Sequence, residues 1–218
     1  MSARSADDHD SSALSTLLPT FIDRCDSLGV RVERVAESWA ASEIIAALAA
    51  ETGAERVIVA AELRDAAPDL EAAQSGRGMT IVSPDAPADA DGAPLGISLA
   101  ILAIAETGSM LLSEPTLNDR AIGLLCATQV IVCPTSALVP SLDEAAPVLR
   151  EIASRPGGAY ATLVTGPSRT ADIERVLTVG VQGPARVVVI FVDRLAHSGR
   201  STSRSVVGRA SEVPGSEE

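Results

Sequence analysis

The segment TGPSRTADIE, residues 165–174, combines residue types that can bind an anion. It follows an apolar run, so we expect a strand to end here and a helix to begin after the Gly-Pro turn, with Ser168 or Thr170 as N-cap. Ligands of open α/β sheets bind at the carboxyl ends of strands, and a helix N-terminus offers free backbone N–H groups. Arg169 would add a guanidinium fork suited to carboxylate or phosphate. Acidic residues of the same helical turn, such as Asp172, would repel an anion, so an anion site and a plainly capped helix stay open as alternatives.

Glu106 is the second candidate, in the segment AETGS (105–109) inside a very apolar stretch. A carboxylate buried among apolar side chains costs free energy unless it is paired or protonated. Glu106 would therefore act as a base or nucleophile with a raised pKa, or it would pair with an arginine or with backbone N–H groups at a strand end. The residue types favour pairing, with Arg120 as the candidate counter-charge, and leave both alternatives open.

Composition excludes several kinds of site. The chain of 218 residues has 17 basic residues, all arginine, so Schiff-base and P-loop lysines are excluded. The two histidines, His9 and His197, lie near the chain ends, which argues against a Ser-His-Asp triad and a histidine-ligated metal. With 29 acidic residues the formal charge is -12, which argues against nucleic-acid binding. The sequence has no GxGxxG motif and no spacing typical of metal ligands, and its three cysteines form no CxxC pair, so no cofactor is predicted.

Nothing in the sequence predicts export or a membrane span. The N-terminus lacks the apolar core of a signal peptide. Residues 121–142 carry no charge over about the length of a spanning helix, but they include Gln129, Pro134 and Pro140. A helix, a strand and a loop explain them better, so we expect a cytoplasmic protein.

The elements that must position these candidates alternate along the chain. Helices are predicted at 13–27, at 38–52 (with Ser38 as cap and Gly53 as stop), near 119–126 and near 141–154. Strands are predicted at 30–35, 56–60, 79–82, 129–133, 160–165 and 186–193, with a loop at 84–94, and residues 96–112 should form a short helix followed by a strand pair around 106–108. This order indicates an α/β fold with a mostly parallel sheet flanked by helices. We expect one domain at 13–194 between mobile tails at 1–12 and 195–218.

Three segments together resemble the LUD-domain family: IAETGS, GPSRTADIE and GVQGP, in this order and at this spacing. The resemblance covers about 14–193 and is strongest from 96 to 193. It implies a fold like the NagB/RpiA/CoA-transferase group, an α/β sandwich around a mostly parallel sheet. The third motif departs from the family, which usually carries a histidine where this chain has Gln182. Glutamine can hydrogen-bond but cannot titrate, so a proton-carrying role at this position would be lost.

The resemblance also implies a part in oxidising L-lactate to pyruvate. Its partners would be a larger LUD protein with ferredoxin-like iron–sulfur motifs and a Cys-rich iron–sulfur protein. This chain has no cluster ligands, so electron transfer would come from those partners. We therefore expect a non-redox component that binds a small carboxylate, a phosphate or the partner subunits. The alternative is a stand-alone CoA-transferase-like or isomerase-like enzyme that uses Glu106, which leaves open whether the chain is itself an enzyme.

The candidate residues should converge on one cleft. There Arg169 would neutralise an anion, and Ser168 and Thr170 would donate hydrogen bonds to it. The residues expected in this cleft are Glu106, Thr107, Gly108, Arg120, Gly166, Ser168, Arg169, Thr170, Asp172 and Gln182.

Overall fold

The computed structural model describes residues 4–155, 160–170, 178–180 and 183–195. Two of the predicted site residues, Asp172 and Gln182, lie outside these ranges. In chain order the elements are α1 (Arg4–Leu28), β1 (Arg31–Glu37), α2 (Ser38–Thr52), β2 (Arg56–Val59), α3 (Ala61–Ala66), α4 (Pro68–Ser75), β3 (Thr80–Val82), a 3-10 turn (Pro87–Ala90), β4 (Leu95–Leu99), β5 (Leu102–Ile104), β6 (Ser109–Leu112), α5 (Leu117–Leu125), β7 (Thr128–Pro134), a second 3-10 turn (Thr135–Ala137), β8 (Leu138–Val139), α6 (Leu142–Ala153), β9 (Thr162–Val164), β10 (Arg169–Thr170), β11 (Thr178–Val179) and β12 (Arg186–Arg194).

Six strands form the main sheet, in the order β1-β12-β7-β4-β2-β3, and every neighbouring pair is parallel. Two of its inner strands, β12 and β7, are rich in β-branched residues and are buried on both faces. Such continuous apolar strands are typical of parallel sheets with helices on both sides. The predicted α/β fold with a mostly parallel sheet is confirmed.

A second, smaller sheet has the order β8-β5-β6-β9, in which β6 pairs antiparallel with both β5 and β9. The hairpin of β5 and β6 is the strand pair predicted around 106–108. The short helix predicted before it is wrong, because the residues from 95 to 112 form three strands with only short connections. Nearly all of them are buried, and a continuous apolar run does not distinguish a buried helix from buried strands by periodicity.

Helices cover both faces of the main sheet. Helix α2 packs Ile45 and Leu48 against one face, and α1 packs Phe21 and Cys25 against the other. The rings of Phe21 and Phe191 meet edge to face with their centroids 5.1 Å apart. This contact ties α1 to strand β12, and the C-terminal half of α1 is also where the predicted site segments meet.

Two helix boundaries differ from those predicted. The N-cap of α2 is Glu37, and Ser38 is the first helical residue, whose hydroxyl donates to Asp69 Oδ2 at 2.6 Å, so the predicted cap at Ser38 is wrong. At the other end the predicted stop is confirmed, because Gly53 adopts a left-handed φ of 67°. Helix α1 begins at Arg4, inside the segment assigned to an N-terminal tail, and the division into a domain and tails stays a prediction.

Among the described residues, no helix combines the length and apolar character that a membrane span requires.

Gly96 lets α5 lie directly on β4. A Cβ built at Gly96 would stand 2.5 Å from Cys126 Sγ and 2.6 Å from Ile122 Cγ2. We expect Gly96→Ala to lower the free energy of unfolding by about 2 kcal/mol, since an overpacked core must shift its neighbours. Urea denaturation followed by circular dichroism measures this change.

Gly76→Ala is the matched control. A Cβ at Gly76 would have only ordinary contacts, the nearest at 3.5 Å, so the free energy of unfolding should change by no more than about 0.5 kcal/mol. Equal stability of the two variants would contradict the close approach of α5 to β4.

Candidate functional site

The AETGS segment forms the tip of the β5–β6 hairpin and packs on α1. Gly108 has a φ of +68°, and a Cβ there would lie 3.0 Å from the Cβ of Arg24 on the helix. Its N–H donates to the carbonyl of Ile104 at 3.0 Å, which closes the turn. A glycine is therefore required both by the backbone conformation and by the close approach to α1.

Hydroxyl groups connect this hairpin tip to the GPSRT segment. Thr107 Oγ1 donates to Ser109 Oγ at 2.8 Å, and Ser109 Oγ lies 2.7 Å from Thr165 Oγ1. Thr165 follows β9, which pairs with β6. We call Thr107, Ser109 and Thr165 the hydroxyl row. The fold thus brings together two segments that are nearly sixty residues apart in the chain.

Arg169 reaches the C-terminal end of α1, where its Nη2 donates to the carbonyl of Leu28. The carbonyls at this end of a helix have no partner within the helix and carry partial negative charge, so a guanidinium is favourable there. Gly166, with a φ of +95°, packs beside Leu28 and Val30. The Arg169 side chain is exposed and makes no other hydrogen bond to a described residue.

The predicted helix start at Ser168 is wrong, whereas a helix capped by Thr170 would occupy residues after 170 that lie outside the described ranges. Arg169 and Thr170 form strand β10, which pairs antiparallel with β11. The N–H of Ser168 donates to the carbonyl of Pro184 at 3.0 Å, and its carbonyl accepts from Gly180 at 2.9 Å. These bonds use the Ser168 backbone groups that a helix N-terminus would leave free for an anion.

The position of this segment relative to the main sheet also differs from the prediction. Pro184 lies just before Ala185, the residue that precedes β12, and Ala185 donates its N–H to the carbonyl of Ala127 just before β7. Ser168 therefore lies at the edge where the parallel strands begin. These residues follow the carboxyl end of β9 in the smaller sheet, but relative to the main sheet they lie at the amino ends of the strands.

Glu106 lies at the tip of the hairpin with its side chain exposed, while its apolar neighbours Ile104 and Met110 point into the core. Its N–H donates to the carbonyl of Pro140 at 3.0 Å. The expected burial among apolar side chains is wrong, because the turn directs this residue outward. The expected arginine partner is also wrong within the described part of the chain, where Glu106 makes no ion pair.

Arg120 has a different task from the predicted one. It donates from Nε to the carbonyl of Glu114 at 3.0 Å and from Nη2 to the carbonyl of Pro115 at 2.9 Å. Its guanidinium carbon lies 4.2 Å from the ring centroid of Tyr160, a cation–π contact. Arg120 therefore stabilises the loop before α5. Of the predicted residues, the fold groups Glu106, Thr107, Gly108, Gly166, Ser168, Arg169 and Thr170 along the hairpin tip and the GPSRT segment.

Two carboxylates, Glu114 and Asp119, are buried near the start of α5, and the sequence analysis missed both; Glu114 is the one with the strongly shifted pKa. Its relative exposure is 6%, and its Oε1 accepts a hydrogen bond from Ser98 Oγ at 3.4 Å. Ser98 in turn accepts from Gln129 Nε2 at 3.2 Å. Burial raises the pKa of Glu114 to about 7; the charges of Asp119 and Glu62 also raise it, while the Ser98 hydrogen bond and Arg120 lower it.

Two further carboxylates lie beside Glu114. Asp119, at the start of α5, accepts the N–H of Ala61 at 3.1 Å on Oδ1 and the hydroxyl of Thr116 at 2.5 Å on Oδ2. Glu62, at the start of α3, has a pKa raised first by burial and then by the charge of Asp119. We call Glu62, Ser98, Glu114, Asp119 and Gln129 the Glu114 crevice. Within the described ranges, no group of three or more histidine, cysteine or carboxylate residues is arranged to hold a metal ion.

The Glu114 crevice occupies the position in the sheet where ligands of open α/β folds usually bind. After β2 the chain adds the next strand of the main sheet, β3, on one side of this position, and after β4 it adds the next one, β7, on the other side. Helix α3 follows β2, so Ala61 and Glu62 lie just beyond the carboxyl ends of β2 and β4. Between these two strands the order in which the chain adds strands to the sheet changes direction. One signal in the sequence was the run SEPTLNDR (113–120), an abrupt change to polar residues after a buried strand.

The arrangement of the two sheets and the position of the motifs agree with the sequence resemblance. Residues 18–192, most of the chain, match the model of the LUD domain. This chain belongs to the LUD-domain family. A LUD-domain relative, "Lactate utilization protein C 1" from Bacillus mycoides, is 37% identical over 107 residues, which are 48% of this chain and 45% of the relative. "Lactate utilization protein C" from Geobacillus kaustophilus is 36% identical over 105 residues, 47% of this chain and 44% of the relative.

The matched segment therefore spans less than half the length of these curated LUD-domain relatives. A solved structure extends the likeness over most of the chain. The crystal structure of a DUF162 family protein from Deinococcus radiodurans has a TM-score of 0.56 and 26% identity, and the match covers 82% of this chain and 98% of that one. The predicted family and fold class are confirmed.

Proposed function

We propose that this LUD-domain chain is a non-redox component of a cytoplasmic lactate-utilisation system, where it binds a small carboxylate. Membership of the family and the printed name of its relatives support the pathway. The observation that supports the binding role is the meeting of two motif segments on the C-terminal part of α1, where Gly108 packs beside Arg24, and Gly166 and Arg169 lie at Leu28. The two iron–sulfur proteins inferred from the family resemblance would supply the redox centres.

The chemistry of this surface suits a carboxylate. A guanidinium has five N–H donors, and toward the described part of the chain Arg169 uses one amino group, on Leu28, which leaves the others for a bidentate contact. Two hydrogen bonds within the hydroxyl row use two of its three O–H groups, so one O–H remains as a neutral donor that tolerates either lactate or pyruvate. Glu106 at the hairpin tip would repel a second negative charge, which favours monoanions over phosphate dianions.

Titration calorimetry with L-lactate, pyruvate and phosphate tests this binding site. We expect lactate or pyruvate to release heat on binding to the unchanged chain. The affinity of Arg169→Gln should be at least about tenfold lower, because this variant loses one charge-assisted contact. Arg169→Lys separates binding from stability, because a lysine can still reach the Leu28 carbonyl but lacks the planar fork. It should keep the melting temperature and lose most of the affinity.

Arg77→Gln is the control, since Arg77 is an exposed residue that pairs with Glu43 on another part of the surface. Its affinity for lactate should equal that of the unchanged chain. No heat from any of the three anions, or an equal loss in the Arg77 variant, would count against the site.

The place in the pathway has a separate test. The chain would be combined with the iron–sulfur LUD protein and the Cys-rich iron–sulfur protein from the same source, and lactate-dependent reduction of an electron acceptor would be measured. We expect the rate to fall when this chain is omitted, because a non-redox component would hold the substrate or the partners in place. Full activity of the two partners alone would rule out an essential role.

A further inference from the structure

Strand β1 forms one edge of the main sheet, and within the described part of the chain its outer side has no partner strand. It pairs with β12 on its inner side along 31–37. All seven of its residues are exposed or half-buried. An open edge presents a row of backbone N–H and C=O groups that another strand can extend, so natural edge strands are usually short or covered. An edge of this length is therefore a surface that a further strand can join.

The charges that usually protect such an edge are largely neutralised within the chain. Arg34 donates from Nε and Nη2 to the two carboxylate oxygens of Asp193, at 2.9 and 3.2 Å. Glu37 accepts from Arg194 Nε at 2.6 Å. Strand β1 carries two arginines and two glutamates, so it is neutral although the whole chain has a formal charge of -12. Repulsion between two copies of the chain is therefore not concentrated at this edge.

We propose that β1 pairs antiparallel with β1 of a second copy of this chain, around a two-fold axis at Arg34. Such a contact uses the same strand on both copies and joins two six-stranded sheets into one. Arg31 then lies opposite Glu37 of the second copy, and the same pair recurs at the other end of the interface. Opposite charges that face each other across a strand pair stabilise it.

The charge pattern favours this register over its neighbours. Arg34 is the middle residue of β1, so an axis there pairs all seven residues. With the axis one residue earlier, Glu33 would face itself, and with the axis one residue later, Glu33 would face Glu37. With the axis at Val32, Arg34 would face Val30, which is buried. In the proposed register the one like-charge pair is Arg34 with itself, and each guanidinium keeps its bidentate contact with Asp193.

The helices leave room for this contact because they cover the faces of the sheet. Val32 packs into the cluster that contains α1, and Val35 packs into the cluster that contains α2 on the other face. Trp39, two residues beyond β1, is 54% exposed and available to the second copy. Aromatic residues are enriched in protein interfaces relative to other surfaces.

Sedimentation velocity of the full chain over about 1 to 300 µM tests the proposal, since a single strand pair buries less area than an obligate dimer. We expect a monomer–dimer equilibrium within this range. Arg31→Glu places like charges opposite each other at both ends and should raise the dissociation constant at least about tenfold. Adding Glu37→Arg to Arg31→Glu restores opposite charges and should recover the dimer. Arg77→Glu is the control, since it makes the same change in net charge at a similarly exposed arginine that pairs with Glu43.

Cysteine cross-linking tests the register. Arg34→Cys should give a covalent dimer on mild oxidation, because residue 34 faces itself at the axis at a distance that a disulfide spans. The three native cysteines are buried and should not compete. Ala36→Cys is the control: it is exposed on the same strand but faces Val32, so it should stay monomeric on denaturing gels.

A chain that stays monomeric over the whole concentration range would overturn the proposal. Equal dissociation constants for Arg31→Glu and Arg77→Glu, or cross-linking of Ala36→Cys in preference to Arg34→Cys, would do the same. Circular dichroism shows whether each variant is folded, and the cross-link at position 34 decides the question if Arg31→Glu is unfolded.

Discussion

Phe191→Ala is expected to lower the free energy of unfolding by about 4 kcal/mol, the range measured when a buried phenylalanine is truncated. Phe191 is completely buried in the middle of β12, and its ring meets that of Phe21 at an interplanar angle of 82°. The substitution removes this contact and leaves a cavity between α1 and the sheet. Urea denaturation followed by far-ultraviolet circular dichroism measures the loss, because helix content reports directly on α1.

A double-mutant cycle with Phe21→Ala isolates the contact itself. We expect a coupling of about 1 kcal/mol between the two rings, typical of edge-to-face aromatic pairs. Leu117→Ala is the control, since its side chain is 60% exposed and the change should stay within about 0.5 kcal/mol. A loss below about 1.5 kcal/mol in Phe191→Ala would show that α1 does not depend on this contact.

The second large effect is the pH dependence of stability that Glu114 imposes. Its pKa in the folded protein is about 7, whereas its ordinary value is 4.5. Between these values the folded protein holds the proton more tightly than the unfolded chain does, so stability falls as pH rises through the interval and is then level. At 1.36 kcal/mol for each unit of pKa difference, the loss between pH 4.5 and pH 7 is about 3 kcal/mol.

Glu114→Gln should remove most of this slope, because an amide has no proton to lose. The remaining slope would come mainly from Glu62, whose pKa is also raised by burial and by Asp119. Urea denaturation at several pH values between 4.5 and 8 gives the free energy of unfolding of the unchanged chain and of Glu114→Gln. Glu55→Gln, which removes an exposed carboxylate, is the control. A variant that retains the full slope would show that Glu114 titrates normally.

The helices and strands of the main sheet could be predicted from the sequence because their signals are local. The runs RVIV in β2, QVIVC in β7 and RVVVIFV in β12 are long enough in β-branched residues to specify strands. Their alternation with helical segments indicates parallel pairing, since parallel neighbours require crossover connections. The stop of α2 at Gly53 was predicted for a similarly local reason.

Prediction failed where long-range contacts decide the conformation. Nothing near Arg169 indicates that its strand β10 pairs with β11 or that its guanidinium binds the end of a helix 141 residues away. The conformation at Ser168 depends on Pro184, whose carbonyl accepts the Ser168 N–H. The same limit applies to 95–99, where burial on both faces removed the periodicity that separates strand from helix.

The sequence by itself therefore determined the α/β class, the order of most elements, the family motifs and the lack of a histidine away from the chain ends. Only the tertiary structure decided which carboxylate is buried. Glu106 lies in a very apolar stretch and is exposed at a hairpin tip, whereas Glu114 lies in a polar run and is buried, with a hydrogen bond from Ser98. The reason is physical: apolar patterning sets local conformation, but desolvation of a charge depends on elements that pack over it from elsewhere in the chain.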